Sequence, residues 1–433
     1  MFQSQSFSDW FKLTPDESGH YVTGTWSQIA SLPAGYAPEF FASAVLADGR
    51  VVIVGGEYNS GTFVLTNQAA IYDPVADTWT SLAAPAGWDY IGDSPSVVLP
   101  NGQFLVGRKL DTLMAVLDPA TLLWSALGSA GKSDFNAEEG WTLLPDGSIL
   151  TIDVKNAPNS ERYIPSTGTW ISAGTTIVDL HSPGAGCLVY GGGCYDPPGE
   201  IGPAVLRPDG TVFATGAKST AGPGHTAIYT PPAISTDPGA WKTGPDFPNN
   251  DNAGDSFAVL LPSGHVLVEG NSGTLYEFDG ENLTPGNNVT PGSSLLVLPT
   301  GEVIIGGATV QIYTPSGEPS ATWAPAIAAF SASITRGSTY GISGTQFNGL
   351  SQAAGYGDEN ETATNYPLVR ITNQATGHVF YARTHGHSTM AVATGAAIVS
   401  TSFDLPAGME TGPSVLEVVA NGIPSSSVAI TVN

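Results

Sequence analysis

The sequence is poor in charge and poorest in positive charge. Of 433 residues only 13 are Lys or Arg, against 38 Asp or Glu, so the formal net charge is −25. So few cations cannot furnish a phosphate-binding face, which argues against nucleic acid as a partner. The same shortage argues against an anionic membrane surface. No apolar run approaches the length that spans a bilayer, so no membrane insertion is expected. Helical apolar periodicity is missing from every long stretch. The opening "MFQSQSFSDWFKLTPDESG" has neither a basic start nor an apolar segment and does not read as a signal peptide. Cysteine is scarce, with two residues, both in "CLVYGGGC". That spacing is not a zinc knuckle. In an exported protein Cys187 and Cys194 would close a local disulfide around a glycine loop.

Glycine (53) and proline (33) are plentiful. Turn-rich composition with little charge is typical of all-β secreted proteins, and the length allows two or three domains. A secreted or cell-surface location is therefore expected, any leader being absent from this chain. Asn282, Asn288 and Asn360 lie in N-x-T sequons, which matter only in a eukaryotic secretory host.

A repeat runs along the chain. "SAVLADGRVVIVGG" (43–56) returns as "SVVLPNGQFLVG" (96–107), "WTLLPDGSILTID" (141–153), "AVLRPDGTVFATG" (204–216), "AVLLPSGHVLVEG" (258–270) and "LLVLPTGEVIIGG" (295–307). Each copy is an apolar strand, a tight turn ending in Gly and a second apolar strand. A third strand follows in "AIYDP", "AVLDP", "RYIPS", "AIYTP" and "QIYTP", and a Trp often marks a fourth: Trp79, Trp124, Trp170 and Trp241. Four antiparallel strands in units of roughly forty to fifty residues describe propeller blades. The repeat tryptophans are expected to pack between blades.

This pattern resembles kelch repeats of galactose-oxidase-like β-propellers over about residues 20–320. Six blades are counted, with seven, as in galactose oxidase, the alternative; a further blade would have to hide in the long connection at 171–203. The sixth copy lacks a fourth strand, and "TWSQIASLP" (25–33) is expected to supply it and close the ring. The propeller is thus expected over 1–322. From 323 to 433 short alternating strands with polar turns read as an immunoglobulin-like β-sandwich, which galactose-oxidase relatives also carry. The whole chain resembles uncharacterised bacterial kelch-motif proteins of that arrangement.

The first strand of each blade lines a propeller's channel. Nine residues before each turn glycine stand Phe40, Asp93, Glu138, Ile201, Asp255 and Gly292, with Glu39 and Glu200 one residue earlier and Glu139 one later. Converging carboxylates need protons, metal ions or basic partners to coexist. The bland alternative is a wet channel mouth lined by solvated acids. By resemblance to galactose oxidase, a cysteine, a tyrosine and a Tyr-His pair would hold a radical copper centre at these places. No such residues stand here, so no copper-radical cofactor is expected. In that family a loop of the C-terminal domain also brings a histidine to the centre, and "FYARTHGHSTM" (380–390) is the matching stretch. On a strand, His385 and His387 would share one face, with Tyr381 and Arg383 on the same side. Trp88, Tyr90 and Trp141 near the entrances are candidates for sugar stacking, although Trp141 reads as core. His181 and His225 fall in loops.

These residues give one expectation and two rivals. The first is an enzyme acting on a carbohydrate, a hydrolase or lyase, with Asp93, Glu138, Glu139, Asp255, His385, Arg383 and Tyr381 as catalytic candidates. His385, His387, Asp93, Glu138 and Asp255 would bind a divalent metal, Ca²⁺, Mn²⁺ or Zn²⁺. The second is a non-catalytic glycan or cell-surface binding module. The third is a purely structural ion in the channel. A carbohydrate or small-molecule partner and a monomeric state are expected in the enzymatic case.

Overall fold

A computed structural model of the chain describes residues 1–4, 6–184, 186–195, 199–217, 222–352 and 366–433. The sequon at Asn360 lies outside them. Every repeat hairpin forms the inner pair of a small antiparallel sheet. The turn glycines Gly49, Gly102, Gly147, Gly210, Gly264 and Gly301 all have φ between +81° and +87°, a region that glycine enters without a Cβ clash. Five copies complete four strands each, over 42–82, 96–127, 142–175, 204–243 and 258–288. The sixth has three: Ser294–Val297, Val303–Gly306 and Gln311–Tyr313. Inner strands of successive copies touch, and apolar side chains fill the wedges between sheets.

The ring closes in a different way from the one expected. Thr25–Ile29 does not join Gln311–Tyr313; it pairs with Trp10–Thr14, which pairs with Phe2–Gln3. This three-stranded sheet stands between the sixth and first copies. The Phe2 ring packs on Gly306 of the sixth copy. Trp10 and Ile29 are buried with Phe41, Ile53 and Tyr72 of the first. Seven sheets result, the alternative count. Among its described residues, the connection at 171–203 adds a hairpin, Leu188–Tyr190 with Gly193–Tyr195, and not a blade.

The repeat tryptophans explain the arrangement. Trp124 Nε1 donates to the Ala83 carbonyl at 2.8 Å, just past the fourth strand of the preceding sheet. Trp241 Nε1 donates to Ala173 O at 3.0 Å, within the fourth strand of the preceding sheet. Trp79 Nε1 donates to Ala30 O at 3.0 Å, just past Thr25–Ile29. Thr25–Ile29 therefore holds a fourth-strand place, but its partners come from the N-terminus.

The C-terminal strands form a sandwich around Ile342, Val369, Ile371, Phe403, Leu416 and Ile430. One long strand, Val379–His385, belongs to both layers. Its first half pairs with Leu368–Asn373 and its last three residues pair with Ile398–Asp404. We propose 322/323 as the boundary between the two units, where the repeat ends and Trp323 packs on Gly264. The sandwich meets the propeller at the hairpin-turn ends of the inner strands. Arg383 Nη2 donates to Asp48 O at 2.9 Å, and the His387 and Met390 amides donate to Ala47 O and Pro100 O at 3.0 Å. Met390 and Val392 are fully buried among propeller side chains.

Candidate functional site

The opposite ends of the inner strands build a cavity of about 330 Å³ lined by Phe40, Glu57, Asp93, Glu138, Glu200, Asp255, Phe257 and Gly292. Phe40, Glu138, Asp255 and Gly292 share one register place, and all have positive φ: +53°, +56°, +50° and +78°. That left-handed turn directs each side chain inward at the strand's start. For residues other than Gly it costs about 1–2 kcal/mol each.

Among the described residues, Lys109 is the cation paired within this ring. Lys109 is almost fully buried, and its Nζ bridges Asp93 and Glu138, 2.5 Å from the latter. Burial pushes the Asp93 carboxyl well above the carboxylate range, with Lys109 opposing and Glu138 adding. Burial also raises Glu57, again against the pull of Lys109. Asp255 is exposed at the rim. Desolvation raises its carboxyl, Glu138 adds, and a hydrogen bond with Glu200 opposes. The mouth thus retains protons at pH values where free carboxyls have lost theirs.

Asp93, Glu138 and Asp255 come together as the register predicts, and Glu200 joins them. Glu139 does not. It points away from the channel, fully buried, and accepts from Lys132 Nζ at 2.9 Å and Thr151 Oγ1 at 3.1 Å. Lys132 also pairs with Glu161 at 2.8 Å. Burial, which lowers the ammonium, is outweighed by Glu139 and Glu161, so Lys132 lies above its ordinary value. Burial pushes Glu139 well above its usual range. Asp153 nearby rises to about 8, by burial first and the Glu161 charge second.

The C-terminal candidates do not reach the cavity, because the sandwich docks at the other end of the inner strands. Arg383 and His385 both hold Asp404, at 2.9 and 3.1 Å. Tyr381 packs near Tyr21. His385 and His387 also do not share a face. The strand ends at His385, Gly386 turns at φ +63°, and His387 is buried with Nδ1 2.9 Å from Thr401 Oγ1. Burial holds its imidazole down at about 4. A joint His-carboxylate metal site of the kind expected is not assembled. His181 and His225 each bond a nearby aspartate.

Trp88, Tyr90 and Trp141 are buried and make no exposed platform; Arg108 stacks on the first two. The exposed ring at the mouth is Phe40, 40% accessible. It begins an edge-to-face series through Tyr58, Phe63, Tyr190 and Tyr90. Tyr190 belongs to the hairpin closed by the Cys187–Cys194 disulfide. Sequence reasoning missed Lys109 and Glu57. Both follow second strands, and in an antiparallel hairpin the end of the second strand lies beside the start of the first. A charged residue two or three places past each second strand was the signal.

With this geometry in hand, the class is plain: the chain has the fold of a kelch-type, galactose-oxidase-like β-propeller with a C-terminal β-sandwich. No protein-family model matches it. It is 31% identical to the Kelch-like protein terF of Aspergillus terreus over 88 residues, 20% of this chain and 18% of that protein. A fungal alcohol oxidase of the AA5 family, solved in complex with copper, matches with a TM-score of 0.53 at 15% identity, covering 98% of this chain and 95% of that one. The structure of YjhT matches with a TM-score of 0.43 at 14% identity, over 65% of this chain and 99% of that one, too slight a likeness to argue from. Copper does not fit the cavity described above. Among the described residues its lining offers carboxylates and apolar groups, without the nitrogen or sulfur donors that copper favours.

Proposed function

We propose that this protein is a secreted propeller enzyme that acts on a carbohydrate at the acidic mouth, as a hydrolase or a lyase. The observation that carries the reading is the convergence of Asp93, Glu138, Glu200 and Asp255 in one cavity. In this scheme the Asp255–Glu200 pair supplies the proton to the leaving oxygen. Glu138, beside Lys109, acts as the carboxylate base or nucleophile. Phe40 offers a face for a sugar ring. Secretion accords with the disulfide and with the acidic surface; no helix among the described residues is long and apolar enough to cross a membrane.

A panel of polysaccharides and aryl glycosides tests the proposal. Glu138→Gln and Asp255→Asn should each lower turnover by about 10²-fold or more while the folded state persists. Unchanged turnover in both variants overturns it. A second reading, a non-catalytic glycan-binding module, draws on the Lys109 bridge, which gives Asp93 and Glu138 a structural reason to exist. That reading expects calorimetric binding of a glycan, no turnover, and affinity that falls in Phe40→Ala but not in Glu138→Gln.

A further inference from the structure

A second acidic cluster lies apart from the cavity. Asp134, in the connection from the second to the third copy, Glu139 and Asp153 are all buried, and one carboxylate oxygen from each lies within 4.8 Å of the others. None of the three lines the channel cavity. We propose that they form a closed site for one hard divalent cation, Ca²⁺ or Mn²⁺, which fastens that connection to the third copy.

Asp153 is the observation that points to a ligand. It is 0% exposed, and neither of its carboxylate oxygens has a hydrogen-bond partner. Its neighbours are satisfied. Asp134 accepts the Phe135 and Lys155 amides at 2.9 and 2.8 Å, and Glu139 accepts from Lys132 and Thr151. A buried carboxylate with two bare oxygens is costly unless something meets it. The spacing suits an ion with about 2.4 Å bonds to oxygen, and the all-oxygen donor set selects hard cations.

Charge points the same way. Asp134, Glu139, Asp153 and Glu161 converge here, and among the described residues the Lys132 ammonium is bonded to Glu139 and Glu161. The other nearby ammonium, Lys155, lies over the Phe135 ring at 4.4 Å. A divalent ion would nearly balance the cluster.

The test is calorimetric titration of chelator-stripped protein with CaCl₂ and with MnCl₂, beside thermal melts. Wild type should bind one ion per chain and melt about 3 °C or more higher when saturated. Asp153→Asn should keep the fold and lose both effects, and Glu138→Gln at the channel should keep both. Should Asp153→Asn fail to fold, Mn²⁺ quenching of tryptophan fluorescence in wild type is the independent readout, since Trp170 lies 4.9 Å from Lys132 Nζ. Saturable quenching that Ca²⁺ reverses supports the site. No binding of either cation at millimolar concentration overturns it, as does an ion kept by Asp153→Asn and lost by Glu138→Gln.

Discussion

Glu138 and Asp255 occupy backbone conformations that a glycine would fill more cheaply, and Gly292 does fill the equivalent place in the sixth copy. The acids therefore persist there against conformational cost. Asp255→Gly is expected to raise thermal stability by about 1 kcal/mol while abolishing turnover; a melt paired with an activity assay checks it. Glu269 gives a pH prediction. It is fully buried beneath Gly292, accepts the Ser293 amide at 3.3 Å, and is raised by burial from 4.5 to about 7. Between those values the folded chain holds a proton that the unfolded chain has released, so stability falls as pH rises through that window. Glu269→Gln removes this dependence. Urea unfolding at pH 4 and pH 8 should show the variant gaining about 2–3 kcal/mol on wild type at the higher pH. The entrance acids were legible at this scale because register against a glycine is a rigid ruler. Their protonation was not, because it depends on how deeply the folded chain buries each carboxyl, which sequence spacing does not reveal.

Among the elements, the strand hairpins were the most legible. An Asp-Gly or Asn-Gly tip between apolar runs has few other solutions. The stretch at 380–390 was legible as a strand but not in its destination. A single positive-φ glycine, Gly386, separates the two histidines, and docking at the turn ends removes both from the acids. What the segment does supply is apolar. Met390 lies between the first and second copies and Val392 in the wedge that extends through the third and fourth. Met390→Ala should cost about 2–5 kcal/mol by opening a cavity at that seam. Calorimetry is the check, with the propeller transition moving down.

For the molecule as a whole, repeat counting identified the architecture, and the error lay in its closure. Thr25–Ile29 was legible as a fourth strand from "TWSQIASLP", yet Phe2–Gln3 and Trp10–Thr14 are too short to announce a sheet of their own and carry no repeat signature. Removal of residues 1–30 should leave Trp79 without its carbonyl acceptor and uncover Phe41 and Tyr72. The truncated chain is expected to be aggregated or unfolded by size-exclusion chromatography and circular dichroism.

That seam also sets an order of events during biosynthesis. Residues made early rest on a copy made much later, Phe2 against Gly306. A ribosome must therefore release nearly three hundred further residues before the N-terminal sheet gains its second neighbour. Until then the growing chain is an open arc with two bare ends. Long-range closure of this kind is slow compared with hairpin formation. For a chain that crosses a membrane before folding, a clasp that cannot fasten early keeps the propeller threadable until its sixth copy has passed.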